Sequence, residues 1–148
     1  MYKKSTDKAQ EKETSMTTTY GLKVSLNLTY EDAIKKATAA LKEEGFGVLT
    51  KIDVKDTLKQ KINADFRRYV ILGACNPNLA HQALQSDLDV GLLLPCNVIV
   101  YENDNDKSVV SIVDPMQMLG VADKKALQTL AIEANTRLTR VVENLAAQ

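Results

Sequence analysis

The chain has 148 residues, of which 45% are apolar and 26% are charged, a composition typical of one globular domain. Its 19 basic and 19 acidic side chains balance, so little electrostatic attraction draws it toward nucleic acid or anionic lipid. The sequence has no apolar run as long as a membrane span and no apolar secretory signal at its N-terminus. We therefore expect a soluble cytoplasmic protein with no nucleic-acid or membrane partner.

The N-terminal part of the chain predicts a leader followed by one domain. Residues 1–17 are polar, mixed in charge and poor in large aliphatic side chains, which is typical of a disordered segment. Residues 18–148 then form the predicted single α+β domain. Its first strand is predicted over residues 18–27, and Thr29 can cap the helix that follows. Gly45 is suited to end that helix.

The middle of the chain predicts two more strands and two more helices. A second strand is expected over residues 46–52. A surface helix follows, with a narrow apolar stripe formed by Val54, Leu58, Ile62 and Phe66. Residues 68–75 are almost continuously apolar, which favours a central strand covered on both faces. A short third helix then begins at Asn76 and Pro77, because Asn is a strong N-cap and Pro is well tolerated in the first turn.

The C-terminal part predicts a hairpin and a long helix. Strands over residues 96–102 and 108–114 are joined by the turn residues 103–106. The segment 116–119 contains two methionines, which either pack beneath the last helix or form an adaptable binding lip. The last helix is expected over residues 123–147. The order β-α-β-α-β-α-β-β-α indicates an α+β domain with a mainly antiparallel sheet and helices packed on it.

Two Cys-Asn pairs, Cys75-Asn76 and Cys96-Asn97, flank the short third helix. If strands 68–75 and 96–102 are antiparallel neighbours, the two cysteines lie at the same end of the sheet. The helix dipole would then tend to lower the pKa of Cys75, which favours a reactive thiol. The alternative is that both cysteines are small core residues, since free cysteine is among the most buried residue types.

His81 is the one histidine of the chain and follows Cys75 closely in sequence. A Cys75–His81–Cys96 metal site would lack a fourth ligand unless Asp114 supplied it. Catalysis by a Cys–His pair would use the same three residues, with no orienting carboxylate that the sequence identifies. We therefore expect His81 to be a solvent-exposed helix residue, and we predict no metal and no cofactor.

The segments LGACNPNLAHQAL, GLLLPCNVIVYE and IVDPMQMLG together resemble the family called domain of unknown function 302. The resemblance covers nearly the whole chain after the leader. It implies a small α+β domain similar to the TATA-binding-protein-like fold, and it implies pairing as a homodimer. The family signature corresponds here to Gly73, Cys75, Pro77, Leu94, Pro95 and Cys96. It implies no particular reaction.

The sequence therefore favours a homodimeric binding domain over an enzyme, while leaving catalysis open. A small ligand or a protein partner would bind near the strand ends, with Cys75, Asn76, Pro77, Cys96 and Asn97 as the candidate binding residues. Backbone N–H groups at the start of the third helix would suit an anionic ligand. The rival hypothesis is a thiol enzyme or redox sensor that uses Cys75 and Cys96, with His81 as an auxiliary base.

Overall fold

The computed structural model describes residues 15–17, 20–122 and 124–147. They form one six-stranded antiparallel sheet, in the spatial order β1-β2-β6-β5-β4-β3. The strands are β1 Ser15–Thr17, β2 Gly21–Leu26, β3 Gly47–Asp53, β4 Tyr69–Cys75, β5 Cys96–Glu102 and β6 Ser108–Val113. The helices are α1 Tyr30–Glu43, α2 Val54–Ile62, α3 Pro77–Ser86, α4 Pro115–Leu119 and α5 Lys125–Ala146, with a 3-10 helix at Leu88–Leu93.

This arrangement confirms the predicted α+β class and the predicted order from β2 onward, to which the structure adds the 3-10 helix and α4. The predicted leader lies mostly outside the described residues, but Ser15–Thr17 pair with β2 as a short edge strand. The strands β5 and β6 form the predicted hairpin. Among the described residues, no helix is both long enough and apolar enough to cross a membrane.

The ends of α1 form as the sequence predicts. The hydroxyl of Thr29 accepts a hydrogen bond from the N–H of Asp32, so one of the unpaired N–H groups of the first turn is satisfied. At the other end Gly45 has a φ of +83°, and the N–H of Phe46 donates to the carbonyl of Leu41. This left-handed closure directs the chain straight into β3.

The helix α2 is shorter and more exposed than its apolar stripe predicts. It ends at Ile62 because Asn63 adopts a left-handed conformation with a φ of 53°, so Phe66 lies beyond the helix. None of its side chains is buried. The stripe therefore does not face the main core, and α2 lies against the edge of the sheet formed by β3 and β4.

The core lies on one face of the sheet, where α1 and α5 cover the strands. Its residues on β4 and β5 alternate with half-exposed ones: Val70, Leu72, Val98 and Val100 are buried. Between them Tyr69, Ile71, Ile99 and Tyr101 are half-exposed on the other face, which we call the open face. The prediction that strand 68–75 is covered on both faces is therefore wrong, because the described helices that form the core all pack on its other side.

Candidate functional site

A small cavity lies where β4 ends and β5 begins, beneath α3, α4 and α5. We call it the strand-end cavity, and its volume is about 40 Å³. It is lined by Phe46, Ala74, Cys75, Asn76, Leu79, Ala80, Ala83, Leu94, Pro95, Cys96, Pro115, Met118, Leu119, Leu130 and Ala134. Among these residues, Asn76 alone has oxygen or nitrogen in its side chain, so the lining is almost wholly apolar or sulfur-bearing.

Strand pairing brings the two cysteines to this cavity. The strands β4 and β5 are antiparallel, and Ala74 is directly opposite Cys96. Cys75 is the next residue of β4 and its last, so both cysteines lie at the same end of the sheet and line the same cavity. Cys96 is buried and Cys75 is half-buried, and both are free thiols.

Close packing of β3, β4 and Pro95 closes one side of the site. A Cβ atom added to Gly73 would clash with Oγ1 of Thr50 and lie 2.8 Å from Cγ of Pro95, so any larger residue there would force one of these neighbours to move. Pro95 follows Leu94 through a cis peptide bond and also lines the cavity.

Asn76 joins the cavity to the start of α3. Its side-chain oxygen accepts a hydrogen bond from the N–H of Leu79 at 3.1 Å, and its carbonyl accepts the N–H of Ala80 at 2.9 Å. Pro77 has no backbone N–H, and the N–H groups of Leu79 and Ala80 are those already paired with Asn76. Most of the hydrogen-bond donors in the first turn of α3 are therefore absent or occupied. This arrangement disfavours the predicted anion site at the start of α3, since little donor capacity remains there.

Burial raises the pKa of both thiols. The pKa of Cys96 rises from 9.0 to about 11, first because the side chain is buried and second because the thiolate of Cys75 would repel its charge. Burial also raises the pKa of Cys75. The prediction that the helix dipole lowers the pKa of Cys75 is therefore wrong in direction, because burial disfavours the charged thiolate.

Comparison with known proteins identifies the family of the chain. Residues 22–145 match the family described as "Domain of unknown function DUF302". The chain belongs to this family. A similar solved structure is the crystal structure of the uncharacterized conserved protein DUF302 from Bacillus stearothermophilus, with 29% sequence identity and a TM-score of 0.79. The match covers 86% of this chain and 99% of that one. A search of curated proteins finds no match.

Most of the residues that carried the sequence resemblance lie at the strand-end cavity. Four of them, Cys75, Leu94, Pro95 and Cys96, line it directly. Gly73 permits the close approach of Pro95, and Pro77 is the exposed first residue of α3. These residues therefore meet at one junction between two strands and a helix.

The other residues singled out from the sequence lie away from the cavity. His81 is exposed on α3, and Asn97 is exposed on the open face of the sheet. The side chain of Asp114 accepts a hydrogen bond from the N–H of Met116 and caps α4. Within the described residues, no three or more His, Cys, Asp or Glu side chains are grouped so that they could hold a metal ion.

Sequence reasoning did not identify the far wall of the cavity. Phe46 follows α1, Leu130 and Ala134 lie on α5, and all three are distant in sequence from the cysteines. The apolar stripe of α5 indicated that its residues are buried, but not which of them face a cavity. Met118 was left between two interpretations, and it packs beside α5 while also lining the cavity.

Proposed function

We propose that this DUF302 domain is a non-catalytic binding domain whose ligand site is the strand-end cavity. The observation that carries the proposal is an almost wholly apolar cavity at the junction of β4, β5 and α3. The lining presents apolar side chains from several elements to one small space. A ligand that covered this lining would be stabilised by the apolar surface that it removes from water.

The size and lining of the cavity define the class of ligand. A water molecule needs about 10–15 Å³ of such space, so 40 Å³ admits a ligand of only a few heavy atoms, or one end of a larger ligand. The apolar lining favours a ligand that makes few hydrogen bonds. Asn76, the one lining residue with an amide, already uses its side-chain oxygen to cap α3.

The thiol enzyme is the less supported alternative. A nucleophilic cysteine is activated by a lowered pKa or by an adjacent base. Here the pKa of both thiols is raised, and His81 is exposed on α3 rather than lining the cavity. A binding role requires neither feature.

Xenon provides a direct test, because it is a small apolar probe that enters dry cavities. Methyl NMR spectra recorded under xenon pressure should shift first for Leu79, Leu94 and Leu119. An Ala80→Leu variant should abolish those shifts by filling the cavity, while Ala126→Leu, on the exposed face of α5, should leave them unchanged. Shifts that spread over the whole core, or that persist in Ala80→Leu, would contradict the proposal.

We also propose that the domain pairs as a homodimer through the open face of the sheet. Antiparallel sheets with one solvated face usually carry polar side chains on that face. Here Ile52, Ile71 and Ile99 form a row across β3, β4 and β5. Tyr69 and Tyr101 stack beside this row, with ring centres 5.4 Å apart.

The charge and size of the open face suit a second copy of the chain. Among the paired residues of β2 to β6, Lys23 is the one residue charged at pH 7 that the strand register places on the open face. Five strands about 4.8 Å apart give a face of roughly 20 by 20 Å. A flat face of about 400 Å² is about half of the roughly 800 Å² that each partner buries in a standard interface, so loops beside the sheet would supply the rest of the contact.

Sedimentation velocity over a range of concentrations tests the dimer. The wild-type chain should sediment as a dimer, and Ile71→Lys should sediment as a folded monomer because it places like charges within the apolar interface. The matched control is Ile132→Lys, at a position on α5 that is 55% exposed, and it should remain dimeric. A monomeric wild-type chain, or a dimeric Ile71→Lys variant, would contradict this interface.

A further inference from the structure

We propose that the strand-end cavity binds an uncharged aliphatic carbonyl compound, a ketone or an ester, whose oxygen accepts a hydrogen bond from the side-chain nitrogen of Asn76. This inference rests on the proposed ligand site and names the class of ligand that it takes. The observation that carries it is a buried amide with only one end paired. In the described part of the chain, its oxygen accepts from the N–H of Leu79, whereas its nitrogen donates no hydrogen bond.

The side chain of Asn76 is almost completely buried. Asn76 is 7% exposed, and it lines the strand-end cavity. Buried polar groups are nearly always hydrogen-bonded, because a donor that leaves water without finding a partner lowers stability. Among the residues that the structure describes, no side-chain nitrogen or oxygen is both fully enclosed and unpaired. The nitrogen of Asn76 is therefore within reach of a small molecule, and it lacks an acceptor.

A second donor lies beside this nitrogen. A Cβ atom on Gly45 would be 2.9 Å from the side-chain nitrogen of Asn76 and 3.4 Å from Nη1 of Arg137, so both nitrogens lie close to one point. A guanidinium can only donate, and Nη1 of Arg137 donates to the carbonyl of Glu44 at 3.3 Å. Arg137 therefore cannot accept from Asn76. An acceptor oxygen on a ligand would complement this pair of donors.

The surroundings favour a ligand oxygen without charge. Nε of Arg137 already lies 2.8 Å from Oε1 of Glu133, so the charge of the guanidinium is matched. No charged side chain of the described residues lines the cavity. Burial of an unpaired charge in such a place costs far more than burial of a neutral carbonyl group. The site therefore selects a ketone or an ester over a carboxylate.

The lining also favours a ligand that has no N–H or O–H group. The oxygen of Asn76 is used in the cap of α3, and the lining side chains offer no other oxygen. Their thiols and thioether accept hydrogen bonds only weakly. A ligand hydroxyl or amide N–H would lose its hydrogen bonds to water without replacing them. Ketones should therefore bind more tightly than amides of the same size.

The test compares acetone, acetamide and acetate, which have the same number of heavy atoms and nearly the same shape. NMR titrations of the full-length chain follow the methyl groups of Leu79 and Leu94 and the side-chain amide of Asn76. Acetone should bind at least about fivefold more tightly than the other two, which bury a donor or a charge without a partner. It should also shift the amide protons of Asn76 downfield. Equal or tighter binding of acetamide or acetate would overturn the assignment.

Asn76→Asp removes the donor and keeps the cap, because at neutral pH its carboxylate only accepts hydrogen bonds. Its affinity for acetone should fall about fivefold, the factor that one ordinary hydrogen bond contributes. Asn78→Asp is the matched control, since Asn78 is exposed in the first turn of α3 and does not line the cavity. This control should bind acetone as the wild-type chain does. Equal affinities of Asn76→Asp and the wild-type chain would show that Asn76 is not the donor.

Xenon binding separates this inference from the proposed ligand site, because xenon has no acceptor atom. If xenon enters the cavity and acetone is not preferred, the cavity remains a ligand site and the carbonyl assignment is wrong. If neither binds, both proposals are wrong. Asn76→Asp should still bind xenon. If that variant loses its fold or its xenon binding, the wild-type spectrum decides, and amide protons of Asn76 that acetone leaves unshifted would overturn the inference.

Discussion

Gly73 and Pro95 lie so close together that a methyl group on the glycine would be only 2.8 Å from Cγ of the proline. The same methyl group would come still closer to Oγ1 of Thr50 on the neighbouring strand. The threonine side chain can rotate, whereas the proline ring can yield only through a change of pucker that displaces Cγ. The packing of β3, β4 and the chain before β5 therefore depends on the absence of a side chain at residue 73.

Gly73→Ala should lower the free energy of unfolding by about 1–3 kcal/mol, the usual cost of overpacking a core. Gly47→Ala is the matched control, because a Cβ at that glycine would meet no atom within 4 Å. Urea denaturation of both variants measures the difference. Equal stability of the two variants would show that the backbone relaxes at residue 73 without cost.

Asn76→Ala should destabilise the protein more than Thr29→Ala. Both side chains cap a helix, and loss of a cap costs about 1 kcal/mol. Asn76 is only 7% exposed, so its loss also leaves the N–H of Leu79 without a partner in a poorly hydrated place, which adds about 1–3 kcal/mol. Asn76→Asp, which keeps the acceptor oxygen, should recover the cap. Thermal unfolding of the three variants would test this order.

Alkylation of the native protein should be slow at neutral pH for both cysteines. Burial raises the pKa of each thiol, so the reactive thiolate is scarce until the pH exceeds the ordinary thiol value. Cys75 should react faster than Cys96, since it is half-exposed whereas Cys96 is buried. Iodoacetamide labelling against pH with mass spectrometry measures both. A reaction midpoint for Cys75 well below pH 8 would instead support the thiol enzyme.

Stability should fall between about pH 9 and pH 11 because of Cys96. The unfolded chain loses the thiol proton near the ordinary pKa of 9.0, whereas the folded chain keeps it until about 11. Above pH 9 the unfolded state therefore binds fewer protons, and rising pH favours unfolding by up to roughly 3 kcal/mol. Cys96→Ala should flatten this part of the stability curve. Tyr30, whose pKa is raised to about 12, acts in the same direction at higher pH.

Much of the secondary structure could be predicted because helix caps and turns are determined by a few neighbouring residues. The caps at Thr29 and Asn76 and the turn at residues 103–106 act over a few residues, and the structure confirms all three. The covered central strand was predicted wrongly for a physical reason. The apolar residues of β4 indicate that both faces avoid water, but the helices of the described residues cover only one of them. Local sequence cannot show what covers the other.

The candidate site was predicted only at its strand ends. Cys75, Asn76 and Cys96 were identified because they lie at element boundaries, and the antiparallel register brings them together. Pro77 and Asn97 are adjacent in sequence but face solvent, since a helix and a strand turn successive residues in different directions. The outcome for the Cys75 pKa depended on the burial of the thiol, which the sequence does not specify.

The walls of the strand-end cavity come from segments that are far apart along the chain, from Phe46 after α1 to Ala134 on α5. No partly folded chain that lacked one of these segments could enclose the same space. Anything held there would bind the native state and not the unfolded one, so it would raise the unfolding free energy of the whole domain. Occupancy should therefore be visible as slower hydrogen exchange in strands that the ligand never touches.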